Sequence, residues 1–283
     1  MLKNISHNQS ILLLVAATMI WGTTFPVLKD AITSISPSVL ICSRFLVAAI
    51  AFVPLCRKLN KQLVRDGVIL GVVLFASFAT QTIGLETTSA NRAAFITSLN
   101  VILVPILALA LGKSVSMRAF LAAGIAIAGI GVMSWEGGSL VVGDVWVFGC
   151  AVSYAIYILA LEAFALKHQA IKLTAVQLVV VAVLGIVWAI PEFVGQITQI
   201  VPNLGVILYL GLIGTAATIL IQAVAQRHVS ATQTAVIYTL EPVFAAVFSF
   251  WLLGESLGVR GLLGAGMVLF AMLFSQLPQQ VGE

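Results

Sequence analysis

The stretch LGESLGVRGLLGAG at residues 253–266 decides how this chain is read, because LGKSVSMRAFLAAG at residues 111–124 matches it without a gap at seven of fourteen positions. A second correspondence lies just upstream in the same order. With a one-residue gap, Ser89-Ala90 faces Ser230-Ala231, Ala94 faces Ala235, Ile96 faces Ile237 and Gln81 faces Gln222. Two ordered matches at nearly one spacing indicate an internal duplication.

The nature of the duplicated unit is set by composition. The 283 residues are 61% hydrophobic and only 8% charged, where a soluble globular chain carries roughly a quarter charged residues. A membrane-spanning helix needs roughly 20 apolar residues. The hydropathy pattern predicts ten: residues 10–29, 37–56, 66–85, 88–112, 117–134, 143–163, 172–192, 203–226, 230–253 and 258–276. Strand alternation is absent, which argues against a β-barrel. The first apolar stretch is too long for a signal h-region and lacks a small-residue cleavage site, so it reads as helix one. The expected fold class is an all-α integral membrane protein in the lipid bilayer.

Lys and Arg are retained on the cytoplasmic side of short loops. With the N-terminus inside, ten basic residues fall on cytoplasmic segments, while Lys29, Arg92 and Arg260 fall outside. Both termini are therefore expected in the cytoplasm. The net charge of +4 reflects this bias and is not a nucleic-acid signal. Cys42, Cys56 and Cys150 lack metal-ligand or disulfide spacing, and His7, His168 and His228 read as solvated loop or tail residues. No metal or other cofactor is implied.

The duplication divides the chain into residues 1–136, with helices one to five, and residues 137–283, with helices six to ten. Five is odd, so the second copy enters the membrane in the opposite orientation, as the placement of Arg118 inside and Arg260 outside also requires. The expected architecture is two inverted five-helix repeats. Such repeats are the mark of secondary transporters, whose substrate site lies near the midplane between them.

Several motifs carry a family resemblance. LGESLGVRGLLGAGMVL following an apolar helix with LEPVF, WGTTFPVLKD in helix one and the arginine of PSVLICSRFLVAA in helix two resemble the EamA family of the drug/metabolite transporter superfamily. The resemblance covers nearly the whole chain. It implies a five-plus-five inverted fold in the bacterial inner membrane, and export or uptake of amino acids or other small metabolites. In the first half the pattern departs from the family: Asn100 and LGK stand where a proline-to-LGE spacing is usual, with Pro105 nearer the helix end.

Charged side chains near the bilayer centre are costly and usually face a cavity or a partner. Glu241 sits at the middle of helix nine, with Thr234, Tyr238 and Ala245 on its face and Leu240, Phe244 and Val247 on another side. Pro242 has no N–H for the carbonyl of Tyr238, which leaves a backbone acceptor beside the carboxylate. Asn100 holds the equivalent place in helix four, with Thr97 on its face. Helix eight carries Gly211, Thr215, Thr218 and Gln222; helix three ends with Phe78 and Gln81; helix six gives Tyr154 and Tyr157; helix one gives Trp21 and Thr24. These are the candidate substrate-binding residues. For Gln81 and Gln222 the competing role is interhelical hydrogen bonding, and for Trp21, Tyr154 and Tyr157 it is packing. Trp135, Trp146 and Trp188 read as interfacial anchors.

Arg44 in helix two lies about 4 Å from the helix midpoint at 1.5 Å rise per residue, within reach of the depth of Glu241. Either the two pair, or one or both bind the solute, an arginine clamping a carboxylate and the glutamate an ammonium. Glu241 is also the proton-coupling candidate. Gly124 and Ala128, and Gly261 and Ala265, are spaced for close helix packing, and Glu255-Ser256 for capping helix ten.

The sequence therefore points to a carrier for a small polar molecule, an amino acid or a related compound. A lipid or drug translocator, or a pore on the same fold, is the alternative. An intramembrane enzyme fits poorly, because HExxH and GxSxG are absent and Asp30, Asp66 and Asp144 fall at helix ends. P-loop motifs are absent too.

Overall fold

A computed structural model of the chain describes residues 5–55, 59–134, 140–253 and 258–277. These residues are helical, with no strand among them, as the lipid interior demands when every backbone group must be satisfied within its own segment. The elements are α1 (His7–Ala31), α2 (Pro37–Phe52), α3 (Lys61–Gly84), α4 (Ala90–Thr97), α5 (Asn100–Ala110), α6 (Met117–Ser134) and α7 (Val142–Ala165). They continue with α8 (Ala170–Ile200), α9 (Leu204–Leu208), a π-helical segment Tyr209–Ala217, α10 (Thr218–Ala225), α11 (Ala231–Tyr238), α12 (Leu240–Leu253) and α13 (Gly258–Gln276). Helix starts are chemically marked: the side chains of Ser6, Asn60, Ser89 and Ser230 each accept from a backbone N–H in the first turn.

Seven helical stretches are long and apolar enough to cross a membrane: His7–Ala31, Lys61–Gly84, Arg92–Ala110, Val142–Ala165, Ala170–Ile200, Leu204–Ala225 and Gly258–Ser275. Two of the other expected spans are shorter apolar helices, Pro37–Phe52 and Met117–Val132, and residues 230–253 are divided between α11 and α12. The chain is thus multi-pass and all-helical, without a one-to-one match to the ten expected spans.

Two helix breaks set the positions of polar groups in the interior. Between α4 and α5 the backbone tightens: Leu99 N–H turns to Ile96 O and Val101 N–H to Ser98 O, at 3.1 Å each. The carbonyl of Thr97 thereby loses the donor four residues on. Between α11 and α12, Thr239 N–H bonds Val236 O at 3.2 Å, and Pro242 offers no N–H to Tyr238 O. The hydroxyls of Ser98 and Thr239 bond back to Ala94 O and Val236 O, contacts of the kind that bend helices.

The helices pack as α6 on α13, α2 on α8, α3 on α7 and α8, and α1 on α12 and α10, with the π-helical segment on α2, α5 on α7 and α11 on α5. Gly22 lets α1 approach α12 closely: a Cβ there would lie 2.8 Å from Phe244 Cβ and 3.1 Å from Glu241 O. Close contact between α6 and α13 is made by Gly129, whose Cβ would lie 2.8 Å from Gly264 O, whereas Gly124 meets nothing within 4 Å.

Polar contacts tie the helix ends. Buried Asp66 bonds His168 Nε2 at 2.8 Å, so His168 is a buried partner and not the solvated loop residue expected. Asp144 takes Arg92 at 2.6 Å and the Thr88 hydroxyl at 3.0 Å. Glu162 pairs with Lys113 and accepts the first N–H of α11. Trp188 stands well inside α8, packed edge-on against Phe75, and is not at a helix end. Trp135 and Glu255-Ser256 lie outside the described residues.

Candidate functional site

One cavity gathers polar residues from several of the apolar helices. Trp21 and Thr24 of α1, Arg44 of α2, Ser77, Phe78 and Gln81 of α3, Thr97 of α4, Cys150 and Tyr154 of α7, and Glu241 of α12 line it. The cavity volume open to the centre of a water molecule is about 30 Å³. That holds only one or two waters.

Arg44 is the largest fully buried side chain described. Its Nε donates to Thr215 Oγ1 at 2.5 Å and its Nη2 to Gly214 O at 3.0 Å, and the guanidinium lies 4.7 Å from the Phe78 ring centre. Nη1 is buried without a partner. The π-helical turn explains why this site exists. A π-turn widens the helix and is concentrated at functional sites, and here the carbonyl of Gly214 also accepts from Trp21 Nε1 and Thr218 Oγ1, each at 3.1 Å. Gly211 lets that segment rest on α2, since a Cβ there would lie 2.8 Å from Arg44 O.

Glu241 is buried, with 9% of its surface exposed, and forms no ion pair with Arg44. The ion pairs among the described residues are those of Asp66, Asp144 and Glu162. Both side chains face one cavity, and neither pairs with the other. The site thus holds one guanidinium and one carboxyl group, with no ion pair between them.

An aromatic cluster adjoins the cavity. Trp21 meets Tyr238 at 5.1 Å and Tyr154 at 5.9 Å between ring centres, both edge-on, and Tyr154 stacks on Tyr157 at 5.6 Å. Tyr154 donates to Gln222 Oε1 at 2.8 Å, Gln222 to Gln226 at 2.9 Å, and Gln226 to Ile158 O at 3.0 Å. Tyr157 donates to Gln177 at 2.7 Å.

Of the sequence-derived candidates, Trp21, Thr24, Arg44, Phe78, Gln81, Thr97, Tyr154 and Glu241 line the cavity. Tyr238 reaches it through its ring contacts. Tyr157, Gln222 and Thr218 are instead held in the hydrogen bonds just described, and Asn100 is buried one turn beyond Thr97. Ser77 and Cys150, whose hydroxyl and thiol are 3.3 Å apart, were missed by sequence reasoning. Each stands one helical turn before a residue that was singled out, Gln81 and Tyr154, and that spacing was the available signal.

Comparison with known proteins agrees with this picture. A chain of Archaeoglobus fulgidus described as an uncharacterized transporter is 31% identical over 268 residues, covering 93% of this chain and 84% of its own. A second uncharacterized transporter of the same organism is 24% identical over 267 residues, covering 88% of this chain and 91% of its own. A solved crystal structure, 13% identical in sequence, superimposes with a TM-score of 0.77 over 95% of this chain and 96% of its own, which shows a shared fold. Residues 8–135 and 141–276 each match the EamA-like transporter family. The chain belongs to the EamA-like transporter family, and is a multi-pass membrane transporter.

Proposed function

We propose that the chain is a secondary transporter of a small polar metabolite, an amino acid or related compound, working by alternating access between two inverted repeats of five spans. In this reading the repeats are residues 1–136 and 137–283. Both termini face the cytoplasm of a bacterial inner membrane, and export is the working direction. The pairing of helices supports the repeat: exchanging each element for its counterpart turns α3 on α7 into the α10 region on α1, and α5 on α7 into α12 on α1, while α2 on α8 and α6 on α13 map onto themselves. The breaks correspond as well, Thr97-Ser98-Leu99-Asn100 matching Tyr238-Thr239-Leu240-Glu241.

The observation that carries the substrate class is the Arg44 guanidinium and the Glu241 carboxyl lining one cavity without pairing with each other. Arg44 Nη1 is a buried donor without an acceptor, fit for a carboxylate oxygen. Glu241 is a carboxylate in the same cavity without a cation. A zwitterion supplies both partners at once. The cavity is too narrow for a metabolite as it stands, so binding requires its walls to part, which is the motion alternating access needs. On the side assigned to the cytoplasm, the Tyr154–Gln222–Gln226 chain and the aromatic cluster close the path.

A thermal-shift screen of metabolites on purified protein, followed by counterflow of each hit in proteoliposomes, tests the reading. Saturable counterflow of an amino acid or related zwitterion is the expected result. Ohmic current with no counterflow supports a pore instead.

A further inference from the structure

We infer that the two ends of α7 are opposed latches on the cavity: Glu162 shuts it toward the face where α1 begins, Asp144 shuts it toward the face where α1 ends, and the Glu162 latch yields first. The two carboxylates stand 18 residues apart on one helix, about 27 Å at 1.5 Å per residue. That is close to the roughly 30 Å of a bilayer's hydrocarbon core.

What each carboxylate holds is the start of a broken helix. Asp144 takes Arg92 and the Thr88 hydroxyl at the start of α4. Glu162 accepts the N–H of Ala231, the first residue of α11, at 2.7 Å and pairs with Lys113 beyond α5. α1 holds the same two turns by its own ends. Lys29 donates to Leu85 O and Thr88 O, at 2.5 and 3.0 Å, in the turn before α4, and the Nδ1–H of His7 donates to His228 O at 2.7 Å in the turn before α11. The two turns correspond in sequence, Ser89-Ala90 with Ser230-Ala231, so one pattern is built twice, once at each face.

α4 (Ala90–Thr97) and α11 (Ala231–Tyr238) have eight residues each, about 12 Å of helix. Each starts at a latch and ends at the cavity, with Thr97 in its wall and Tyr238 against Trp21. Both helices are interrupted there, and element ends of this kind absorb the backbone change of a hinge. Freeing the start of either helix therefore lets its far end leave the cavity wall. Both latches are closed together in this structure, on a cavity of about 30 Å³.

The latches are unequal. The Asp144 side chain is 4% exposed and that of Glu162 26%, with its partner Lys113 at 41%, so water screens the Glu162 pair more. The Asp144 end is also packed more closely: a Cβ on Gly143 would overlap Gly84 O and the Thr88 hydroxyl, which brings α7 onto the end of α3 backbone to backbone. The cavity thus opens more readily toward the face where α1 begins. Resting on the proposed alternating access with that face in the cytoplasm, this order loads solute from inside, as an exporter requires.

The test uses Cys150, a cavity residue, as reporter in a chain carrying Cys42→Ala and Cys56→Ala, in sealed vesicles with either face outward and no solute. The rate at which a membrane-impermeant methanethiosulfonate modifies Cys150 is read from each face. The reporter chain should react faster from the face where α1 begins. Glu162→Ala and His7→Ala should raise that rate at least about threefold, the low end for one lost hydrogen bond, without raising the rate from the other face. Asp144→Asn and Lys29→Met should do the reverse; Asp144 also accepts the Val141 N–H at the start of α7, so Lys29→Met decides that arm if Asp144→Asn does not fold. Unchanged rates in folded Glu162→Ala and Lys29→Met, or rates raised equally from both faces, overturn the latches. Faster reaction of the reporter chain from the face where α1 ends overturns their order. A chain that reacts as expected yet shows no counterflow of any metabolite refutes the transporter reading alone.

Discussion

Arg44→Met separates a residue kept for binding from one kept for stability. The wild-type side chain makes two hydrogen bonds as a charged donor, each of about 1.5–3 kcal/mol, and a cation–π contact with Phe78 of about 0.5–2 kcal/mol. Against this stands the desolvation of a fully buried guanidinium, several kcal/mol even after relaxation, made worse by Nη1 having no acceptor. Removing the side chain strands nothing: Gly214 O keeps Trp21 Nε1 and Thr218 Oγ1, and Thr215 Oγ1 still donates to Leu210 O at 2.7 Å. The opposing terms are of one size, and methionine refills the apolar stem's place. The folded state should therefore change by no more than about 2 kcal/mol. Binding of a carboxylate-bearing solute should weaken by about 2–5 kcal/mol, the cost of truncating one member of a charged pair. Unfolding in graded denaturant and equilibrium binding on one preparation measure the two. A loss of stability well beyond about 2 kcal/mol with the solute affinity of the folded protein retained would refute the reasoning and make Arg44 a structural strut.

Two further perturbations probe the framework of the site. Gly22→Ala places a Cβ 2.8 Å from Phe244 Cβ; overpacking of about 1–3 kcal/mol exceeds the helix-propensity gain of about 1 kcal/mol, so unfolding measurements should show net destabilisation, and Gly22→Val should be worse. A stabilised Gly22→Ala would mean α1 and α12 are not in contact at Glu241. Tyr154→Phe leaves Gln222 Oε1 buried without its donor and should cost about 1–3 kcal/mol. Amide exchange should rise in residues 218–226, and unchanged exchange there would remove the hydrogen-bonded chain as the inner closure.

Much of this site was readable from the chain because depth in a membrane is given by counting residues. Arg44, Asn100 and Glu241 each stand near the middle of an apolar stretch, and all three are buried. Azimuth is harder, since it depends on which neighbour each helix meets. The expected choice between an Arg44–Glu241 pair and separate duties turned on that rotation: Arg44 is directed to the π-helical carbonyl of Gly214. The π-turn was invisible for the same reason. Nothing in YLGLIGTAA forbids an ordinary helix; the wide turn depends on tertiary contacts at Gly211 and Gly214. Breaks were half visible. Pro242 announced the one beside Glu241, whereas the equivalent break before Asn100 has no proline and is set by backbone turns and the Ser98 hydroxyl. Ser77 and Cys150 do not stand out as cavity residues because small, weakly polar side chains cost little in an apolar helix.

Counterflow of the identified metabolite through proteoliposomes, comparing wild type with Arg44→Met and Glu241→Gln at equal folded protein, tests the central claim most directly. On the proposal that the cavity is the solute's path, both variants should lose counterflow while remaining folded. Wild-type counterflow in either folded variant would contradict the account, and would mean that the solute crosses without using the charge removed.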